Sequence, residues 1–180
     1  HVVCIFAPGC GTCLPCAEGR PALCTRAAAH HGRGELMTGH RRLSRQGAPV
    51  HHHVGVSAFA THAVLARQSL VKVEADLPPH VSALFSCAML TGAGAVFNTA
   101  RVPPGSRVAV FGLGGVGLSA VLGAVAAGAG QVIAIDRFDS KMQAARDMGA
   151  THTVKADAHT VEAARDLTGG GVDVAIELAG

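Results

Sequence analysis

Short apolar runs separated by helix-compatible segments dominate the second half of the chain. The pattern predicts four strands, over Val108–Phe111, Val132–Ile135, His152–Val154 and Val172–Leu178. Helices are predicted between them, over Val116–Ala127, Phe138–Met148 (ending at Gly149) and Val161–Leu167. Continuous β-branched runs of this kind are typical of strands that are buried on both faces of a parallel sheet. Strands alternating with helices predict an α/β fold containing part of a doubly wound parallel sheet.

The first half of the chain has a weaker pattern. Residues 1–6 have the composition of a strand, Val64–Val73 alternates loosely as another, and residues 76–79 form a predicted turn. A helix is predicted from about Val81, and it carries Cys87. The chain begins within a predicted strand and without a start methionine, and no crossover helix follows its last predicted strand. We therefore expect the chain to be a fragment.

A glycine cluster follows the first strand of the predicted sheet. Gly112, Gly114 and Gly117 have the G-x-G-x-x-G spacing, and Asp136 follows Gly117 by 19 residues. The first glycine allows a tight turn, the second lets backbone N–H groups approach a pyrophosphate, and the third lets the helix pack closely. An acid roughly 20 residues later can accept hydrogen bonds from ribose hydroxyls. The order strand, turn, helix, strand, acid therefore predicts a dinucleotide site, with NAD favoured over NADP.

A membrane span is the alternative interpretation of the same stretch. Residues 108–135 carry no charge, and they exceed the roughly 20 residues that a bilayer requires. The clustered glycines would expose backbone polar groups in lipid, and no basic anchors frame both ends. We therefore expect no membrane partner.

Four cysteines lie close together near the start of the chain. Cys10, Cys13, Cys16 and Cys24 have the spacing C-x2-C-x2-C-x7-C among glycines and prolines. Four thiolates predict a closed, structural Zn²⁺ site; a disulfide pair or a redox C-x-x-C is the alternative. A second possible metal site is the run His51–His53, although neighbours in a strand point to opposite faces, so only the outer two could converge. Cys4, which alternates within a strand, is predicted to be core.

Composition narrows the functional classes. The 180 residues are 49% hydrophobic, contain no Trp or Tyr, and carry a formal net charge of +3, which is too small to indicate nucleic-acid binding. No basic region followed by an apolar run, typical of a signal peptide, opens the chain. Six cysteines without a secretory context favour a reducing compartment, so a cytoplasmic protein is expected.

With its four-cysteine loop followed by a coenzyme glycine motif, the chain resembles the zinc-dependent alcohol dehydrogenases of the medium-chain dehydrogenase/reductase family. It is most similar to the class III (formaldehyde) branch, also over Glu35–Gly39, His51–Leu65 and Ser86–Val96. The resemblance implies that residues 1–88 are the C-terminal portion of a mainly β GroES-like catalytic domain. Residues 89–180 would be the N-terminal part of a Rossmann NAD-binding domain.

The resemblance also assigns site residues. Cys87 matches a ligand of the catalytic zinc, whose other two protein ligands lie upstream of the cysteine loop in this family. Thr91 and Val116 match residues beside the nicotinamide, Lys141 matches one that reaches the ribose, and Gly115 extends the phosphate-binding set. Phe59 matches a residue that lines the substrate pocket, with an ordinary core phenylalanine as the alternative. Arg137 could instead pair with the 2′-phosphate of NADP.

By resemblance, the whole protein would oxidise a small-molecule alcohol to an aldehyde or ketone with NAD⁺, using zinc as a Lewis acid. It would be a homo-oligomer, either a dimer or a tetramer. One alternative is a thiol-dependent formaldehyde dehydrogenase, and another is a catalytically inactive nucleotide-binding homologue. The 180-residue chain alone is expected to be inactive.

Overall fold

Two units make up the chain, His1–Ser86 and Cys87–Gly180. The computed structural model describes residues 1–6 and 8–180. The observed division falls two residues before the predicted one at 88/89. Identification of the first unit as part of a GroES-like domain stays a prediction.

The first unit consists of short elements joined by loops. Its strands are β1 (Val2–Cys4), β2 (Leu43–Arg45), β3 (Ala48–Val50) and β4 (Leu70–Lys72), and its α-helices are α1 (Leu14–Ala17), α2 (Thr25–Gly32) and α3 (Pro79–Ser82). Antiparallel pairing joins β1 to β4 and β2 to β3. Val3 is the buried residue of β1, whereas Cys4 is only half-buried.

The second unit contains the predicted parallel sheet. Its elements are α4 (Ala88–Gly94), a π-helix (Ala95–Ala100), β5 (Arg107–Phe111), α5 (Gly115–Ala126), β6 (Gln131–Asp136), α6 (Asp139–Asp147), β7 (His152–Lys155), α7 (Thr160–Thr168) and β8 (Val174–Glu177). All pairs are parallel in the order β7-β6-β5-β8, with Val110 opposite both Ala134 and Ile176. The α/β prediction and its four strands are thus confirmed.

Alternate residues of β5 face two hydrophobic clusters. Val108 and Val110 pack with Ala120 and Val121 of α5 on one face, whereas Ala109 packs with Ile133 on the other. All six residues are at most 1% exposed. Burial on both faces explains why the strands have continuous apolar sequences.

The uncharged stretch 108–135 is folded as a strand, a 12-residue helix and a strand. In the described ranges no single helix has both the length and the apolar composition to cross a membrane. One bent pair of helical segments meets both criteria, but only when its two parts are combined: Pro79–Ser86 and Ala88–Ala100.

Two local predictions for the first half were wrong. Cys87 is not inside a continuous helix; with φ −137° and ψ −73° it lies between the 3-10 turn Ala83–Ser86 and α4. The segment 64–73 is a strand only over Leu70–Lys72, because Arg67–Ser69 forms a 3-10 turn. In both places a local backbone break interrupts an apolar pattern that sequence alone shows as continuous.

Candidate dinucleotide and metal sites

The turn between β5 and α5 requires its first glycine. Gly112 has φ +82°, and an added Cβ would lie 2.7 Å from both the backbone nitrogen and the Cα of Ala179. Both the left-handed backbone and the close approach of the chain after β8 exclude a side chain. The turn is therefore packed against the carboxyl end of β8.

Gly117 brings α5 directly onto the same turn. A Cβ at Gly117 would lie 1.8 Å from the carbonyl oxygen of Gly112, so no other residue fits without displacing backbone. Gly114 and Gly115 are exposed, and no described atom lies within 4 Å of a Cβ built at Gly114. Since the first N–H groups of a helix have no intrahelical acceptor, this open end of α5 can receive phosphate oxygens.

Asp136 lies at the carboxyl end of β6 and is 8% exposed. Its Oδ2 accepts from the backbone N–H of Leu113 at 2.7 Å, and its Oδ1 accepts from that of Phe138 at 3.0 Å. Burial by itself would raise the carboxyl pKa, but these hydrogen bonds and the charge of Lys141 outweigh it and lower the pKa. The carboxylate is therefore ionised at neutral pH and bonded on both oxygens. Each oxygen keeps a second lone pair, so the ribose contact stays a prediction.

Positive charge surrounds this carboxylate. Lys141 Nζ lies 4.0 Å from Asp136 Oδ2 and 5.5 Å from the ring centroid of Phe138. The guanidinium of Arg137 lies 5.8 Å from the same centroid. Phe138 is 55% exposed, and the sequence interpretation missed it as part of this site. The signal that could have indicated it was an aromatic residue two positions after Asp136, the acid predicted to contact the ribose.

The residues assigned to the nicotinamide side lie on two helices, α4 and α5. Thr91 is exposed on α4 and donates its N–H to the carbonyl of Cys87 at 2.9 Å. Val116 is half-buried in the first turn of α5. Cys87 itself is exposed, and within residues 1–6 and 8–180 it joins no group of three possible metal ligands. The structure therefore does not bring a catalytic-zinc ligand set together around it.

The four cysteines of the N-terminal loop do converge. Their sulfur atoms all lie within 4.8 Å of one another, and Sγ of Cys13 and Cys24 are 3.8 Å apart. Four Zn–S bonds of about 2.3 Å in a tetrahedron require S–S distances of about 3.8 Å. The residues present thus fit a zinc ion. Cys13 immediately precedes α1, and Cys24 is the N-cap of α2.

Backbone N–H groups point at these sulfurs. Cys24 accepts from the N–H of Cys10 at 3.3 Å and from that of Ala27 at 3.4 Å. Hydrogen bonds from the hydroxyl and N–H of Thr12 lower the pKa of Cys10 to about 5. Burial, with the neighbouring thiols, raises the pKa of Cys16 to about 11. The N–H groups stabilise negative sulfur, as a thiolate metal site requires.

The histidine run does not form a metal site among the described residues. It follows β3 outside any strand, and His52 is the buried member, while His51 and His53 are exposed. Nε2 of His52 accepts from the N–H of Arg42 at 3.0 Å, which gives it a structural role. Phe59 is fully exposed, which excludes the alternative of an ordinary core phenylalanine. Its assignment to the substrate pocket stays a prediction.

Comparisons of sequence and of structure with known proteins both find similarity to dehydrogenases. The family model for zinc-binding dehydrogenases matches residues 115–180. The chain is 40% identical to S-(hydroxymethyl)glutathione dehydrogenase of Synechocystis sp. over 100% of its length and 50% of that protein. It is also 40% identical to class-3 alcohol dehydrogenase of Myxine glutinosa, over 99% of this chain and 48% of that protein.

A solved structure extends the similarity to the fold. The alcohol dehydrogenase zinc-binding domain protein of Burkholderia ambifaria superposes with a TM-score of 0.89 at 38% identity, over 100% of this chain and 49% of that one. Over its whole length the chain is thus similar to zinc-dependent alcohol dehydrogenases. The resemblance inferred from the cysteine loop and glycine motif is thereby confirmed. The chain spans about half the length of the relatives that it matches.

Proposed function

We propose that the chain supplies the coenzyme-phosphate site and a structural zinc site of an NAD-dependent alcohol dehydrogenase. The observation that carries the proposal is the tight glycine turn, in which Gly112 and Gly117 pack closely and Asp136 binds the turn, while the N-terminal end of α5 stays accessible. A second observation supports the zinc site: the four cysteine sulfur atoms converge to distances that suit a bound zinc ion.

The chain's own residues would bind and orient the reactants. The N–H groups at the start of α5 would hold the pyrophosphate, and Thr91 and Val116 would border the nicotinamide. Bound NAD⁺ supplies a hydride acceptor and a catalytic zinc supplies Lewis acidity toward an alcohol. Cys87 would be one ligand of that second zinc. Because Cys87 stands alone among the described residues, we derive no step through it.

Asp136 supports NAD as the preferred coenzyme. Its lowered pKa would keep a negative charge beside the ribose, where the 2′-phosphate of NADP would lie. Arg137 and Lys141 oppose this preference by supplying two cations to the same region. Calorimetric titration of the chain with NAD⁺ and NADP⁺ tests which charge dominates. We expect tighter binding of NAD⁺, whereas equal affinities would mean that the cations compensate the carboxylate.

Activity is tested on a protein that contains this chain, assayed for NADH formation. Simple alcohols are the first substrates, with the thiol adduct S-(hydroxymethyl)glutathione as the second candidate, because a relative of 40% identity is named for it. NADH from alcohols supports the main proposal, and NADH from the adduct alone supports the second. Binding of NAD⁺ without turnover of either would favour an inactive homologue.

Three further expectations belong to this proposal. The first unit would be the C-terminal portion of a GroES-like catalytic domain. The whole enzyme would be a homo-oligomer, and its free thiols fit a reducing compartment such as the cytoplasm. Size-exclusion chromatography with light scattering on a protein that contains this chain tests the oligomer.

A further inference from the structure

The glycine turn is held to β6 by a side chain as well as by backbone. The N–H of Gly112 donates to the carbonyl of Ile135 at 2.9 Å, which continues the ladder between β5 and β6. The next N–H, that of Leu113, donates to a side chain, Oδ2 of Asp136, at 2.7 Å. The carboxylate therefore lengthens the ladder by one hydrogen bond, into the middle of the turn.

The same carboxylate is fixed from its other side. Its Oδ1 accepts from the N–H of Phe138, so two backbone donors hold it between the turn and the start of α6. Asp136 is 8% exposed and the Leu113 side chain is 1% exposed. Hydrogen bonds to a buried ionised group are among the stronger ones in proteins, and losing a partner leaves a buried donor unsatisfied.

We propose that Asp136 is a positioning residue for the glycine turn, which sets the N–H groups that receive the coenzyme phosphates. The proposal rests on the dinucleotide site proposed above. It goes beyond a ribose contact, because a ribose acceptor affects only ligands that carry ribose, and affects them equally. A residue that positions the turn has its largest effect on ligands that carry phosphates.

Asparagine at position 136 separates the two roles. Its amide has one acceptor oxygen and one donor nitrogen. If the amide oxygen faces Leu113, the amide nitrogen faces the N–H of Phe138, and two donors oppose each other. In the reverse orientation, the hydrogen bond to the N–H of Leu113 in the turn is lost. Asp136→Asn therefore breaks one of the two hydrogen bonds in either orientation while it changes the side-chain volume little.

The experiment titrates adenosine, 5′-AMP and ADP into the 180-residue chain, wild type and Asp136→Asn. Asp139→Asn is the matched control, because it removes an exposed carboxylate of α6 whose one ion pair among the described residues is with Lys155. If Asp136 positions the turn, the loss of affinity should grow from adenosine to ADP, by about a further tenfold. The same fold-loss for all three ligands would overturn the proposal. The control should lose no more than about twofold for any of them.

Hydrogen exchange without ligand gives an independent measurement. The Leu113 amide should be protected in the wild type. In Asp136→Asn it should exchange faster in either orientation of the new amide, by up to about tenfold, because the Leu113 N–H then meets a weaker, neutral acceptor or the amide nitrogen. If that variant does not fold, the wild type alone still decides, because an unprotected Leu113 amide would overturn the proposal. A wild type that binds no ADP yet protects Leu113 would reject the dinucleotide site and leave the turn contact intact.

Discussion

Two glycines in α4 should respond to alanine with opposite signs. A Cβ at Gly92 would lie 2.2 Å from the carbonyl oxygen of Val116 and 2.6 Å from Cβ of Ser119, both in α5. A Cβ at Gly94, two residues further along α4, would meet only the Asn98 amide nitrogen, at 3.9 Å. Gly92→Ala and Gly94→Ala thus make the same chemical change in a crowded and an open place.

Two magnitudes decide the expected sign. Replacing glycine by alanine inside a helix stabilises it by about 0.5–1 kcal/mol, because glycine loses more backbone entropy on folding. Overpacking costs typically about 1–3 kcal/mol. At Gly92 the upper end applies, since a Cβ would also lie 2.7 Å from the backbone nitrogen of Ala120, and backbone atoms cannot rotate away. The two variants should therefore differ by about 3 kcal/mol in free energy of unfolding.

Urea unfolding of the chain, followed by circular dichroism, measures this difference. Gly94→Ala should raise the midpoint and Gly92→Ala should lower it, with similar slopes. A Gly92→Ala variant as stable as Gly94→Ala would refute the reasoning, because it would mean that α4 and α5 are not in the close contact described. Melting temperatures of the two variants should keep the same order.

Three further outcomes are expected. Cys24→Ser should lose bound zinc and melt at a lower temperature, since metal binding is coupled to folding; full zinc content with an unchanged melting temperature would exclude the site. Arg107 lowers the pKa of Asp173 to about 2. That ion pair stabilises the fold above about pH 4 and is lost as pH falls through 2, so Asp173→Asn should be destabilised in urea at pH 7 and equal to wild type near pH 2. The chain alone, given zinc, NAD⁺ and ethanol, should form no NADH, and zinc-dependent turnover would reveal ligands for Cys87.

The second unit could be predicted from its sequence because burial there is nearly complete. Val108 and Ile133 are both fully buried, on opposite faces of one sheet. When both faces are covered, every position of a strand must be apolar, and the run itself marks the strand. The spacing that ends at Gly117 was equally informative, since a glycine is the only residue that fits 1.8 Å from a carbonyl oxygen.

Structure in the first unit depends on contacts that local patterns do not contain. The burial of His52 depends on Gly34, whose carbonyl accepts its N–H at 2.9 Å, and on Arg42. The histidine run alone therefore did not indicate which of its members is buried. The break at Cys87 also has no sequence signal, because alanine and serine around it are compatible with a continuous helix.

The cysteine loop and Asp136 show the limits of spacing in different ways. Counting residues was enough for the loop, because turns of fixed length bring Cys10, Cys13 and Cys16 together whatever the remainder of the fold does. Residue spacing also singled out Asp136. The groups that donate hydrogen bonds to its oxygens, however, are determined by the pairing of β5 with β6. Leu113 is 23 residues away along the chain and 2.7 Å away in space. A motif spacing can therefore indicate the candidate acid of a predicted dinucleotide site, whereas the hydrogen bonds that hold Asp136 depend on the folded structure.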